Sequence, residues 1–131
     1  MSVHIGFFRD FKSSDTLLID GDSDGLRQLA DELRGLARNG VTIEIHKLAF
    51  VQIHHGIRIT ATRAEWGTGA SIDDRDISWT QSESGWRSTA EKLETLTTGA
   101  PGHQYLDADG DQITVEASRG EYDDAWWTQN G

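Results

Sequence analysis

The segment Asp20–Gly40, with the sequence DGDSDGLRQLADELRGLARNG, constrains the fold more than any other part of the chain. Its apolar residues recur at intervals of three and four, which is the periodicity of a helix with one buried face. They are Leu26, Leu29, Ala30, Leu33, Leu36 and Ala37. The acids before this stripe suit the free N–H groups of a first helical turn, and Asn39-Gly40 is typical of a left-handed stop. The segment therefore predicts a well-delimited amphipathic helix.

A similar pattern returns sixty residues later, where Thr80–Thr98 aligns with Asp20–Arg38. Five positions are identical: Gly25 and Gly85, Arg27 and Arg87, Ala30 and Ala90, Leu33 and Leu93, Leu36 and Leu96. A strand-like run precedes each copy, and a glycine-containing stop and two further strand-like runs follow it. This self-similarity predicts an internal duplication of a β-α-β-β unit. The alternative is that two amphipathic helices look alike because both follow the 3.6-residue period.

Alternation of apolar and polar residues predicts the strands between and around these helices. They are Val3–Phe7, Thr16–Ile19, Val41–His46, Leu48–Ile53, Ile57–Ala61, Ile77–Thr80, His103–Leu106 and Gln112–Ala117, the last two joined by a turn at Asp107–Asp111. Many strands with only two helices favour an α+β fold, an antiparallel sheet with both helices packed on one face. We expect a single domain over residues 1–131, with unit one at about 1–64, a connecting loop at about 65–75 and unit two at about 76–131.

The charge of the chain narrows the classes of partner. Twelve basic and 22 acidic residues give a net charge of −10, which argues against nucleic acid and against anionic membrane surfaces, because both need a positive patch. An acidic surface steers a basic protein partner towards it, although acidity also serves solubility alone. The absence of cysteine excludes disulfides and thiolate chemistry. With no signal peptide or membrane-spanning run in the sequence, we expect a cytoplasmic protein.

The start of the first helix also resembles a calcium loop. Asp20, Asp22 and Asp24 alternate before Gly25, and Asp31 follows at the twelfth position. The aligned copy keeps the glycine but replaces the three alternating acids with Thr80, Ser82 and Ser84. We therefore interpret the shared pattern as helix capping, and keep the four aspartates only as secondary candidates for a metal site.

No other segment of the sequence predicts catalysis or a cofactor. The five histidines, His4, His46, His54, His55 and His103, have no zinc-site spacing. The chain lacks a nucleophile elbow, a phosphate-binding glycine loop and the zinc-protease signature. We predict that the protein is not an enzyme and has no cofactor.

Aromatic residues beside acidic residues provide the candidate binding surface. Trp79 and Trp86 fit the core, while Trp126 and Trp127 lie in acidic sequence, where aromatics are typical of interface anchors or of a cover over the core. The predicted partner-binding residues are Asp73, Asp74, Asp76, Glu121, Asp123, Asp124 and Trp126.

The helix motif resembles that of small acidic bacterial immunity proteins of polymorphic toxin systems. The resembling residues are Gly21-Asp22, Gly25-Leu26-Arg27, Leu29-Ala30, Leu33 and Leu36-Ala37, and separately His103, Leu106 and Asp107. They cover about a third of the chain. The resemblance implies an α+β fold and a basic toxin domain as the tightly bound partner.

Three hypotheses follow from the sequence. The first is a non-enzymatic binding protein of the immunity type that neutralises a basic partner through its acidic surface. The second is a structural or self-associating module that forms a homodimer through an uncovered sheet face or edge. The third is a protein that binds a small molecule or metal through its histidines.

Overall fold

Both predicted helices are present in the computed structural model of the chain, which describes residues 2–106 and 112–131. Helix α1 spans Ser23–Asn39 and helix α2 spans Glu83–Leu96. The side chain of Asp22 caps α1 by accepting a hydrogen bond from the Gly25 N–H, and Ser82 caps α2 in the same way through Gly85. Gly40 ends α1 in the left-handed conformation, with φ of 72°.

The apolar stripes of the two helices pack against each other and form part of one core. Leu33 and Leu93, which occupy aligned positions, are both fully buried there. Trp79 and Trp86 also lie in this core, as the sequence predicted, with their ring centroids 4.9 Å apart. Trp86 is buried without loss of a hydrogen bond because its indole N–H donates to the Thr62 carbonyl at 2.9 Å.

The strands form two sheets. The first sheet contains β1 (Val3–Phe11), β2 (Ser14–Gly21), β4 (Val51–Ile53), β8 (Gly102–Tyr105) and β9 (Thr114–Arg119), in the spatial order β4-β1-β2-β9-β8. The second contains β3 (Ile43–Glu44), β5 (Arg58–Arg63), β6 (Gly69–Asp73) and β7 (Asp76–Gln81), in the order β3-β5-β7-β6. The α+β class is confirmed, but the expectation of one antiparallel sheet is wrong. Each sheet is mixed, because its centre is a parallel pair, β2 with β9 in the first and β5 with β7 in the second.

The two sheets repeat one plan. In each half of the chain an antiparallel hairpin, a helix and a second antiparallel pair follow one another, and the two pairs join different sheets. The first half also contributes β4, which pairs in parallel with β1 and makes the first sheet one strand larger. The central pairings share one register: Thr16 lies opposite Thr114 in the first sheet, and Asp76, sixty residues after Thr16, lies opposite Arg58 in the second. An origin of this plan by duplication stays a prediction.

Four details differ from the expected strands. The predicted connecting loop at 65–75 contains β6, which pairs with β7 through Asp73 and Asp76. The predicted strand at 41–46 is short, because a 3-10 helix occupies Ile45–Lys47, and the predicted strand at 48–53 is reduced to the three residues of β4. A third helix, α3, spans Asp124–Asn130 and was not predicted. The predicted turn at 107–111 lies outside the described residues.

Each sheet has an inner face towards the helices and an outer face away from them. Alternate residues of β1 and β2, such as Ile5 and Ile19, belong to the shared core. The outer face of the second sheet is polar and partly exposed, with Thr60 and Ser78 at its centre. The outer face of the first sheet is instead covered by the chain from Gly120 onwards, which includes α3. Within residues 2–106 and 112–131, no helix is long and apolar enough to cross a membrane.

Candidate functional site

The outer face of the first sheet brings together most of the polar groups that the fold buries. Its residues follow from strand alternation and register. They are His4, Gly6 and Phe8 of β1, Thr16, Leu18 and Asp20 of β2, and Thr114, Glu116 and Ser118 of β9. Two carboxylates therefore lie on adjacent central strands, beneath the C-terminal segment of the described chain.

Asp20 is the first buried carboxylate of this face, with 5% of its surface exposed. The Ser118 hydroxyl donates to its Oδ1 at 2.8 Å, and the Trp127 indole N–H donates to its Oδ2 at 3.1 Å. Burial raises the pKa of Asp20 above its ordinary value, although these two donors oppose the change. Asp20 thus fastens α3 to the sheet through a hydrogen bond that connects β2 with Trp127.

Trp127 is the anchor of α3. Its side chain is 2% exposed, and its ring stacks on the rings of His4 and His54, at centroid distances of 5.2 and 4.5 Å. Nδ1 of His4 lies 2.9 Å from Nε2 of His54, a hydrogen bond that joins the two imidazoles. Burial lowers the pKa of His54, and the neighbouring His4 and His55 lower it further. The stack therefore favours a neutral His54 beneath the helix.

Glu116 is the second buried carboxylate, with only 1% of its surface exposed. The ammonium of Lys12 lies 3.5 and 3.4 Å from its Oε1 and Oε2. The same ammonium lies 5.5 Å from the centroid of the Phe11 ring and 5.9 Å from that of Tyr122. Burial alone would lower the pKa of Lys12, but the Tyr122 hydroxyl and the Glu116 carboxylate raise it above its ordinary value. We call the Glu116 carboxylate and the rings of Phe11 and Tyr122, which surround this ammonium, the ammonium cage.

The turn between β1 and β2 places Lys12 in this cage. Phe11 pairs with Ser14 across a two-residue turn in which Lys12 has φ of 49° and Ser13 has φ of 74°. Positive φ at both central positions is the rule for such hairpins, and glycine and asparagine adopt it with least strain. A lysine in this position is therefore held in a conformation that its own backbone disfavours.

Two clefts open on the outer face. The Asp20 cleft has a volume of about 500 Å³ and is lined by Ser2, His4, Asp20, Asp22, Tyr122 and Asp124, among others. The Glu116 cleft has a volume of about 310 Å³ and is lined by Phe11, Lys12, Ser14, Thr16, Tyr105, Thr114 and Glu116. Tyr122 lines the first cleft and packs against Phe11 and Lys12 of the second, so the two clefts are neighbours.

The seven predicted partner-binding residues fall into two groups. Glu121, Asp123, Asp124 and Trp126 lie in the segment that covers the outer face of the first sheet. Asp73, Asp74 and Asp76 lie at the turn between β6 and β7 in the second sheet, where Asp76 pairs with Arg58 at 2.5 Å. The structure does not bring the two groups onto one sheet. Partner binding is untested for both groups, and only the group on the first sheet is proposed as the binding surface.

The four aspartates kept as secondary metal candidates have different structural roles. Asp22 caps α1, Asp24 pairs with Arg27 at 3.4 Å, and Asp31 pairs with Arg34 at 3.3 Å. Asp20 is occupied by Ser118 and Trp127. Across residues 2–106 and 112–131, no group of three or more histidines and acids is placed to hold a metal ion.

Sequence reasoning missed Glu116, Lys12 and the histidine pair. A signal for Glu116 and Asp20 was present in the repeat itself. The register of the second sheet places Thr60 where the first sheet has Glu116, and Thr80 where it has Asp20. The alignment of the two copies already showed Thr80 in place of Asp20, and its extension along β5 and β9 would have shown Thr60 in place of Glu116.

Comparisons of the chain with protein-family models, with curated proteins and with solved structures give no match.

Proposed function

We propose that this protein binds a basic protein partner through the segment that covers the outer face of its first sheet and the two clefts beside that segment, as an immunity-type inhibitor that acts by occupancy rather than by catalysis. The observation that carries the proposal is the burial of Asp20 and Glu116 on that face. The two sheets have the same register, and the second sheet holds Thr80 and Thr60 at the matching positions. The fold therefore does not require carboxylates there.

Burial of a carboxylate costs free energy unless it is paired or hydrogen-bonded. Asp20 accepts hydrogen bonds from Ser118 and Trp127, and Glu116 pairs with Lys12, so both carboxylates keep a negative charge on this face at a cost that the protein itself offsets. The negative charge of these two residues favours a cationic group at the clefts beside them.

Asp22 and Asp124 are exposed acids in the lining of the Asp20 cleft. Arg119 also lines this cleft, but its guanidinium donates to the carbonyls of Leu96 and Gly99. This arrangement supports recognition of basic side chains.

The surroundings of the clefts have the composition of a protein interface. Tyr122 and Trp126 are half-buried aromatic residues within an acidic segment, and aromatic anchors with a polar rim are typical of binding surfaces. The net charge of −10 accelerates encounter with a basic protein. The resemblance to immunity proteins adds a basic toxin domain as the kind of partner.

A pull-down from the lysate of the source cell tests the proposal, with washes at low and then high salt and identification of the bound proteins by mass. We expect one basic protein that is retained at low salt and weakened at high salt. The double variant Glu121→Lys/Asp124→Lys should lose this protein, and it leaves in place Asp123, whose side chain caps α3. The matched control Asp73→Lys/Asp74→Lys changes the charge equally on the second sheet and should retain it.

Either of two results would contradict the proposal. If the control variant loses the partner as fully as the outer-face variant does, net charge rather than the outer face determines binding. If the column returns only this chain, self-association replaces a basic partner as the function.

A further inference from the structure

We infer that the Glu116 cleft is a binding site for a primary ammonium group, the end of a lysine side chain of the partner, and that Lys12 occupies this site until that group displaces it. The inference deepens the proposed function and rests on it for the source of the ammonium group. The site itself can be tested without any partner.

The cage already holds the chemical group that it is inferred to bind. The Lys12 ammonium lies between the Glu116 carboxylate and the rings of Phe11 and Tyr122. A buried carboxylate with two aromatic rings is the arrangement that recognises alkylammonium ions, because the charge pairs with the acid and the ring faces attract the cation. The ammonium of Lys12 thus occupies the position in which the ligand's ammonium would bind.

The contact between Lys12 and Glu116 is loose. Its distances of 3.4 and 3.5 Å lie beyond the usual range of charged hydrogen bonds. Other ion pairs among the described residues range from 2.5 Å, between Arg58 and Asp76, to 3.7 Å, between Arg63 and Glu83, so the pair of Lys12 with Glu116 lies towards the long end of that range. At this distance the buried acid is able to bind a better-placed ammonium more tightly.

Lys12 is also free to leave. Its side chain is 47% exposed, whereas that of Glu116 is 1% exposed. Its backbone and that of Ser13 are held at positive φ in the turn, so release of the side chain does not break regular strand pairing. The cleft beside the cage, about 310 Å³ in volume and lined by Glu116 and the half-exposed Tyr105, has room for an incoming alkyl chain.

Chemical rescue tests the site. In the variant Lys12→Ala the cage is vacant, and we expect n-propylammonium chloride to raise the Tm in a saturable manner, beyond the effect of equal sodium chloride. Wild type should respond less, because Lys12 competes. The double variant Lys12→Ala/Glu116→Gln should show no excess response. Lys47→Ala is the control, since it removes a lysine from an exposed acid.

A second variant covers the case in which Lys12→Ala does not fold. Lys12→Gly vacates the same cage and accepts the positive φ without strain, so it should fold and give the same excess response. The inference is overturned if neither variant responds more to n-propylammonium than to sodium chloride. It is equally overturned if the variant with Glu116→Gln responds as strongly, because the carboxylate would then not be the binding group.

The partner found by pull-down separates this inference from the proposed function. Glu116→Gln should weaken its binding at least tenfold, and Lys12→Ala should strengthen it. If the partner binds wild type and Glu116→Gln equally, the inference fails while the proposed function stands. If n-propylammonium binds but no basic protein is captured, the site stands and the proposed function fails.

Discussion

Replacement of Trp127 tests whether α3 is firmly docked on the first sheet. Trp127→Ala removes a ring that is 2% exposed, the stack on His4 and His54, and the donor to Asp20 at 3.1 Å. Truncation of a buried Trp costs about 3–5 kcal/mol. Because α3 is short and water can reach Asp20 once it is uncovered, we expect a loss near the lower limit, about 3 kcal/mol.

Trp127→Phe divides this loss into its parts. Phenylalanine keeps an aromatic ring against His54 but has no donor for Asp20, and a hydrogen bond to a charged group contributes about 1.5–3 kcal/mol. We therefore expect this variant to lose about 2 kcal/mol, so that roughly 1 kcal/mol remains for the stack and the extra volume.

Urea denaturation followed by far-UV circular dichroism measures both losses, because tryptophan fluorescence changes with the substitution itself. The control is Trp66→Phe, since Trp66 is 88% exposed and its replacement should change the free energy of unfolding by less than about 0.5 kcal/mol. If Trp127→Phe is as stable as this control, the indole–Asp20 hydrogen bond does not stabilise the protein. If Trp127→Ala is also as stable, α3 is not docked.

Two further predictions concern pH and close packing. Because burial, with His4 and His55, lowers the pKa of His54 below its ordinary 6.5, the unfolded chain gains a proton there before the folded chain does as the pH falls. The free energy of unfolding, measured by urea denaturation, should therefore be lower at about pH 5.5 than at about pH 7.5. His54→Gln should reduce this difference, and an unchanged difference would contradict the burial of a neutral imidazole. Gly25→Ala should destabilise the protein by about 1–3 kcal/mol, because its Cβ would lie 2.6 Å from the Ser2 carbonyl oxygen. The matched variant Gly35→Ala, whose Cβ meets no atom closer than 3.9 Å, should instead stabilise the helix by about 1 kcal/mol. Thermal unfolding compares the two variants, and equal changes in Tm would show that packing at Gly25 is unimportant.

Helices α1 and α2 were predictable because their signals are local. The intervals between apolar residues, the caps at Asp22 and Ser82 and the stop at Gly40 all lie within the segments that they define. Helix α3 was not predicted because its seven residues are too few to show the 3.6-residue period, and acidic residues such as those around its start are typical of an exposed terminal segment. Strand β6 escaped because Gly67, Gly69 and the following charges are typical of a loop.

The arrangement of the sheets could not be predicted in the same way. Alternation identifies which residues of a strand share a face, but not which other strand lies beside it. The pairing of β2 with β9, and of β5 with β7, depends on how the two halves pack together.

The candidate site could not be predicted for the same reason. Alternation in Ile113–Ala117 placed Glu116 on the polar side of a strand, where solvent was the ordinary expectation. Only the segment that crosses the outer face turns this side into a buried one, and that segment comes from an element without a local signal. Asp20 looked like a helix-start acid for a similar reason, since the next acid in the sequence, Asp22, does cap α1.

The exchange of strand pairs between the halves affects how the chain folds during its synthesis. Ser118 of β9 and Asp20 of β2 are 98 residues apart, and they meet across neighbouring strands. The hairpin of β1 and β2 leaves the ribosome long before β9 exists, so neither half can complete a sheet alone. Such long-range pairing slows folding and prolongs the exposure of apolar surface. A chain interrupted before β9 would present the unpaired edge of β2 and an uncovered apolar face, the features that lead to aggregation.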